Sequence, residues 1–231
     1  MDGFRSFFDS FKEFIWDIIG YLIPGLYSVI LILFFINESY NIAIPVVFQG
    51  NEILILIVVS YVLGYIIYGL GDLKEKIRGN NSYSKRILNP ISSSIVFKES
   101  KRIMGAKDSK QESFNKDLES IDVRGLRNIV MSYVPEADQK IYTFTFRSEL
   151  SRHTGLISLI IGCLGMVFTL IQCKWPQIDL FKTEITYILF YLLLVVSYFL
   201  LREPRDKFYR IAMTMPFNLF VAREKNKNDK V

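Results

Sequence analysis

Four stretches of the chain contain no charged residue and no histidine, and each is long enough to cross a bilayer as a helix. They are residues 18–36, 53–70, 156–171 and 185–201. At about 1.5 Å of rise per residue, each helix would extend roughly 24 to 29 Å, which is close to the hydrocarbon thickness of a bilayer. The pattern predicts an all-α, polytopic membrane protein whose four transmembrane helices form two hairpins, 18–71 and 156–201.

Residues 1–17, before the first of these stretches, have an amphipathic pattern. Five phenylalanines recur at spacings of three and four, at Phe4, Phe7, Phe8, Phe11 and Phe14. At 100° per residue they share one side of a helix, while the charged residues take the other side. The pattern predicts an amphipathic helix in the membrane interface. Four acidic residues in this segment, and no small-residue cleavage site after the apolar run, argue against a cleaved signal peptide.

The basic residues between the four stretches are distributed unevenly. Residues 37–52 contain no Lys or Arg and residues 172–184 contain two, whereas residues 71–155 contain sixteen and the segment from Arg202 contains eight. Because cytoplasmic loops retain an excess of positive charge, both termini and the long middle loop are expected in the cytoplasm. The Lys-, Asn- and Ile-rich composition and the short loops favour a bacterial inner membrane. The net charge of +5 belongs mostly to the cytoplasmic segments, and it indicates a membrane-surface bias rather than nucleic-acid binding.

The segments 72–155 and 202–231 are therefore predicted to be a cytoplasmic loop domain and a cytoplasmic tail. Pro135, followed by acidic residues, is typical of a helix start, and no strong breaker follows it. One helix of about 37 residues is expected to run from there into the third span. Asn89-Pro90 is expected to break a helix, and Pro216 to end the helix that extends the fourth span.

Both helical extensions leave the same predicted face of the membrane, so oppositely charged residues on them are candidates for a charge network. The candidates are Arg147, Glu149, Arg152, Arg202, Arg205 and Asp206. Glu149 is expected to pair with Arg202 or Arg205. Asp206 is expected to pair with Arg147 or Arg152. These pairs predict a stalk-like helical base on the cytoplasmic side.

Small residues mark the expected contacts between transmembrane helices. They lie at four-residue spacing in the second and third spans, at Ser60, Gly64, Ser158 and Gly162, with Gly165 following. Small faces let helix backbones approach closely in a bilayer, so these two spans are expected to pack, either within one subunit or between subunits. In the first span, Pro24 and Gly25 predict a kink, which is either a hinge or an ordinary transmembrane proline.

The chemistry-bearing residues of the chain indicate no catalytic or metal site. Ion-coupled transport favours ionisable groups at membrane depth, and the four spans contain none, although a pore lined by hydroxyls and backbone groups needs no formal charge. Cys163 and Cys173 would lie about 15 Å apart on one helix, and His153 is the single histidine. No phosphate loop, nucleophile elbow or zinc motif is present, so no enzyme activity, cofactor or metal is predicted.

A cluster of basic residues in the loop is open to two interpretations. Lys98, Lys101 and Arg102 are a candidate site for an anion such as a lipid headgroup or a nucleotide, because Lys and Arg are the usual ligands of phosphate. Interleaved acidic residues and the lack of an aromatic residue among them are instead typical of a solvated loop.

Two functional classes remain after these exclusions. The first is a non-catalytic integral membrane component that anchors or regulates a cytoplasmic partner through its loop and tail, within a bacterial multi-protein system. The second is a homo-oligomeric pore or membrane-perturbing effector, gated by the cytoplasmic region as in antiphage defence, an analogy of layout only. The expected partners are the lipid bilayer and either further copies of the chain or a cytoplasmic protein.

Overall fold

A computed structural model describes residues 18, 20–39, 51–79, 83–107, 118, 120–135, 138–177 and 181–228, and these are almost entirely helical. The helices in chain order are α1 (Gly20–Asn37), α2 (Asn51–Arg78), α3 (Tyr83–Ser92), α4 (Ile95–Lys107), α5 (Val123–Tyr133), α6 (Asp138–Lys174) and α7 (Ile185–Asn228). The C-terminal end of α1 passes into a π-helical turn, Phe35–Ser39. Gly79, with a φ of 55°, follows α2 in the left-handed conformation that commonly ends a helix.

Four of these helices, α1, α2, α6 and α7, are long and apolar enough to cross a membrane, which confirms the number of predicted spans. The long helix predicted to enter the third span is also confirmed, since α6 is continuous over 37 residues. The predicted amphipathic helix, residues 1–17, lies outside the described residues.

The expected end of a helix at Pro216 is wrong, because α7 continues through this proline to Asn228. The tail presents an apolar stripe to the protein interior, formed by the buried side chains of Tyr209, Met213, Phe217 and Phe220. A proline inside a helix costs about 3 kcal/mol, whereas burying several large apolar side chains contributes roughly 1.5 to 3 kcal/mol each. Burial of the stripe therefore outweighs the local preference to stop. The predicted break at Asn89-Pro90 is also displaced, since α3 includes Pro90 and ends at Ser92.

The chain divides into two compact units. The membrane unit comprises residues 1–74 and 149–204, and the loop–tail unit comprises residues 75–148 and 205–231. The loop and the tail, predicted as separate segments, belong to one unit in the structure. Three helices, α2, α6 and α7, contribute residues to both units.

The loop–tail unit has a hydrophobic core of its own. Its members come from α3, α4, α5, the start of α6 and the end of α7, and Leu126, Val130, Ile141 and Phe220 are fully buried. Helix α5 begins at an N-cap, Asp122, whose side chain accepts a hydrogen bond of 2.7 Å from the Gly125 backbone N–H. The tail completes this core, because its apolar stripe packs against the loop helices.

The membrane unit packs α1, α6 and α7 around a second core that is rich in aromatic residues. This core contains Leu31, Phe35, Ile157, Ile161, Phe181, Tyr191 and Leu194. Helix α2, in contrast, exposes a run of aliphatic side chains between Ile53 and Ile66. Such a face is stable in lipid, where exposed apolar surface carries no hydrophobic penalty.

Candidate functional site

A cluster of polar side chains lies in the membrane unit, next to the ends of three charge-free segments. It contains Tyr68, Asp72 and Lys74 of α2, Glu149, Arg152 and His153 of α6, and Tyr198 of α7. We call these seven residues the polar cluster. They are the candidate site of the membrane unit because polar groups beside apolar spans are retained only where they have partners.

Arg152 is the centre of the polar cluster. One guanidinium nitrogen lies 2.9 Å from Asp72 Oδ1 and the other lies 3.1 Å from Glu149 Oε2, while the side chain is only 10% exposed. A buried charge is costly unless it is paired, and the planar fork of arginine can serve two carboxylates at once. Gly71 leaves space for this arrangement, since a Cβ at that position would lie 3.1 Å from the guanidinium. Arg152 therefore links α2 to α6.

A second link joins α2 to α7. Lys74 Nζ donates a hydrogen bond of 2.6 Å to the Tyr198 hydroxyl and lies 4.5 Å from the centroid of the same ring. The ammonium group thus has both a hydrogen-bond acceptor and a cation–π contact. Together with Arg152, Lys74 ties α2 to both other helices at one end of the membrane unit.

His153 is buried in the polar cluster. Its side chain is 1% exposed, and its ring lies edge-on to Tyr68 at 5.4 Å. Nε2 lies 3.5 Å from Glu149 Oε2, and neither ring nitrogen has a hydrogen-bond partner among the described residues. Across all the residues that the structure describes, no three His, Cys, Asp or Glu side chains are placed to hold a metal ion. The imidazole thus packs as a ring against Tyr68.

Two residues of the predicted charge network have partners that the sequence did not predict. Arg152 pairs with Asp72 and Glu149, and Asp206 accepts hydrogen bonds from Arg86 and from its neighbour Arg205. Within the loop–tail unit, the buried Ser148 hydroxyl donates a 2.9 Å hydrogen bond to the Arg205 carbonyl.

Arg147 and Arg202 are the other two candidates of the charge network. Arg147 lies over the rings of Phe144 and Phe208, at 6.0 and 5.7 Å. Arg202 is half-buried and makes no ion pair within the described part of the chain. Pairing of Glu149 with Arg205 stays a prediction.

Sequence reasoning missed Asp72 and Arg86 as ion-pair partners. A signal for Asp72 was present, because it is the first charged residue after the second span and Arg152 is the last basic residue before the third. Residues that leave the membrane at the same face and at similar distances from it can meet. No comparable signal was present for Arg86, since its partner Asp206 lies 120 residues away in the tail.

The small residues of the second span face the first span, not the third as expected. A Cβ at Gly25 would overlap the Ser60 backbone carbonyl, and a Cβ at Gly64 would overlap the Tyr21 carbonyl. Pro24, next to Gly25, is fully buried, and the Ser28 hydroxyl donates a 2.7 Å hydrogen bond to its carbonyl. The contact with Ser60 therefore gives Gly25 a packing role, and the hinge stays a prediction.

The small residues of the third span face two different helices. Gly162 and Gly165 lie against α7, where added Cβ atoms would meet Tyr191. Ser158 is buried, and its hydroxyl lies 2.7 Å from the Tyr27 hydroxyl of α1. Spacing in the sequence marked the packing faces, but the helix that each face meets is set by the arrangement of all four.

The candidate anion-binding residues lie on α4 in the loop–tail unit. Lys98 and Arg102 are exposed, and the Lys101 ammonium lies 5.2 Å from the Phe97 ring centroid. Arg102 makes a bidentate ion pair with Glu99, with distances of 2.9 and 2.8 Å. The hydrogen bond from Arg102 is the main cause that holds the pKa of Glu99 below its ordinary value, and the charge of Lys225 acts in the same direction. The tail therefore adds a basic residue to this face of α4.

The four apolar helices place the chain in the class of multi-pass, membrane-embedded proteins. Comparison with protein-family models, with characterised proteins and with solved structures finds no match to this chain.

Proposed function

We propose that the protein is a non-catalytic integral membrane component that holds or regulates a cytoplasmic protein through its loop–tail unit. In this proposal the chain crosses a bacterial inner membrane four times, and both termini and the loop–tail unit lie in the cytoplasm. The distribution of Lys and Arg supports this orientation.

The observation that carries the proposal is the shared core of the loop and the tail. Segments that are separated by two predicted spans contribute to one set of buried side chains, which includes Leu126 and Val130 of the loop and Phe217 and Phe220 of the tail. A folded module outside the apolar segments provides a fixed surface for a partner, whereas a mere connection between spans needs no core.

Further contacts support a fixed geometry of this module. Arg124 donates to the Tyr209 hydroxyl at 3.1 Å, and Arg127 donates to the Ala212 carbonyl at 3.3 Å. Arg223 donates to the Tyr133 carbonyl at 2.6 Å. Three arginines thus connect the loop and the tail at separate points along α7. Such contacts favour one arrangement of the two segments, as specific recognition of a partner requires.

The test is the native mass of the full-length protein after gentle extraction from its own host membrane. We expect a complex that contains a second protein in fixed ratio to this chain. Phe220→Asp, which places a carboxylate in the core of the loop–tail unit, should lose that protein while the chain remains in the membrane. The control variant Asn218→Asp, at an exposed position two residues away, should keep it.

Two results would contradict the proposal. One is a mass with no second protein, and if that mass corresponds to two or more copies of the 26.9 kDa chain it would instead support a self-assembled pore. A second protein that remains bound to the Phe220→Asp variant would show that the membrane unit, not the loop–tail unit, holds the partner.

A further inference from the structure

The two most exposed large apolar side chains of the described residues lie outside the four charge-free segments. They are Ile95, 84% exposed at the start of α4, and Ile77, 79% exposed near the end of α2. Both belong to the loop–tail unit. Single exposed aliphatic residues are common on protein surfaces, so their exposure alone carries no meaning. Their neighbours distinguish these two.

Each of the two isoleucines lies beside exposed basic residues. Lys76 and Arg78 flank Ile77 on α2. On α4, Lys98 and Arg102 follow Ile95 at spacings of three and seven, which places all three on one face of the helix. The opposite face of α4 is buried in the core of the unit. The outward surface of α4 therefore combines an apolar side chain with basic ones.

The position of Ile77 along α2 brings it close to the lipid headgroups. Helix α2 is continuous to Arg78, and Ile77 lies seven residues beyond Leu70, the last residue of the charge-free segment. Seven residues correspond to about 10 Å along the helix axis. The headgroup region occupies roughly 5 to 8 Å beyond the hydrocarbon on each side of a bilayer. The end of α2 thus lies about 2 to 5 Å outside that region, a distance that the long side chains of Lys76 and Arg78 can span.

The loop–tail unit carries 21 Lys and Arg residues against 12 Asp and Glu residues, so its charge is complementary to an anionic surface. The donors on α4 are not arranged as a cradle for one phosphate, because Glu99 already occupies the guanidinium of Arg102 in a bidentate pair. A layer of anionic headgroups needs only exposed positive charge beside an apolar side chain that can enter the interface.

We propose that two patches of the loop–tail unit, Lys76–Arg78 on α2 and Ile95 with Lys98 and Arg102 on α4, contact the anionic headgroups of the membrane that holds the protein. Each Lys or Arg near such a surface strengthens the association by a factor of about five, except that the charge of Arg102 is offset by its pair with Glu99. The contact would fix the loop–tail unit against the bilayer without any partner protein.

The test measures acetylation rates of single lysines in the full-length protein, reconstituted in nanodiscs of phosphatidylcholine alone or of phosphatidylcholine with an equal share of phosphatidylglycerol. We expect Lys76 and Lys98 to react at least about fivefold more slowly in the anionic discs. Lys140 is the internal control, since it is exposed in the same unit but lies about 24 Å along α6 from the third charge-free segment. Molar salt, with a screening length of about 3 Å, should reduce the difference.

The matched variant is Ile95→Asp. An acidic residue in the first turn is favourable for α4, so the helix should remain folded, and an unchanged unfolding temperature checks this. In this variant the anionic discs should no longer slow the acetylation of Lys98, but they should still slow the acetylation of Lys76.

Three results would overturn the proposal. In the first, anionic lipid slows Lys98 no more than Lys140. In the second, Ile95→Asp leaves the slowing of Lys98 unchanged. In the third, soluble glycerol phosphate slows Lys98 in discs of phosphatidylcholine alone, which would indicate a site for a free phosphate.

Discussion

Replacing Gly64 by alanine is expected to destabilise the protein by about 3 kcal/mol, at the upper end of the range for overpacking. The added methyl group would overlap the Tyr21 backbone carbonyl of α1, and a backbone atom cannot move aside as a flexible side chain can. The two helices would have to separate, which would also loosen the contact between Gly25 and Ser60. The measurement is the free energy of unfolding in detergent micelles.

Gly69→Ala is the control for this prediction, because Gly69 lies on the same helix and a Cβ there would meet nothing within 4 Å. Alanine is the better helix former by about 1 kcal/mol, so this variant should be as stable as the native protein or slightly more stable. Equal losses in the two variants would show that the close approach of α1 and α2 is not what Gly64 provides.

Arg152→Met is expected to cost about 3 kcal/mol, the lower end of the range for removing one partner from a buried ion pair. The lower end applies because Asp72, one of its two partners, is 47% exposed and can be hydrated, whereas Glu149 is more buried. Most of the loss should come from the unpaired Glu149 carboxylate beside the buried ring of His153. The measurement is again the free energy of unfolding in detergent micelles.

The control for Arg152 is Arg202→Met, for which a loss below about 1 kcal/mol is expected. The second check is the double variant Arg152→Met with Glu149→Gln, which should recover part of the loss because the unpaired charge is gone. Strictly additive losses at the two positions would mean that the two side chains do not act as a pair.

The four spans were predictable from the sequence because each is marked by a long segment without charged residues. A segment of 16 or more residues without charge has few alternatives to a membrane helix, and the continuous 37-residue helix followed from the lack of breakers after Pro135. Helix continuity at Pro216 was not predictable in this way. It depends on burial of Phe217 and Phe220 against loop helices that are distant in sequence.

The candidate site was predictable only in part. Small-residue spacing identified the packing faces of Ser60 and Gly64, but the choice of α1 as their partner depends on how the helices are arranged. Arg152 was predicted to belong to a charge network, but its partner Asp72 was not predicted. The sequence alone could not choose between carboxylates, because Asp206 follows the fourth span and was an equally good candidate partner for Arg152. Local patterns identify surfaces, and the fold selects which surfaces meet.

The most direct test of the account labels the two native cysteines from one side of the membrane. Cys173 lies at the predicted outer end of the third span and Cys163 lies in the middle of that span, and both are exposed on the surface of the protein itself. A membrane-impermeant maleimide added outside intact cells is expected to label Cys173 within minutes and to leave Cys163 unlabelled, since lipid covers it. Labelling of Cys173 only after the membrane is opened, or equal labelling of both thiols in intact cells, would contradict the four-span arrangement with a cytoplasmic loop–tail unit.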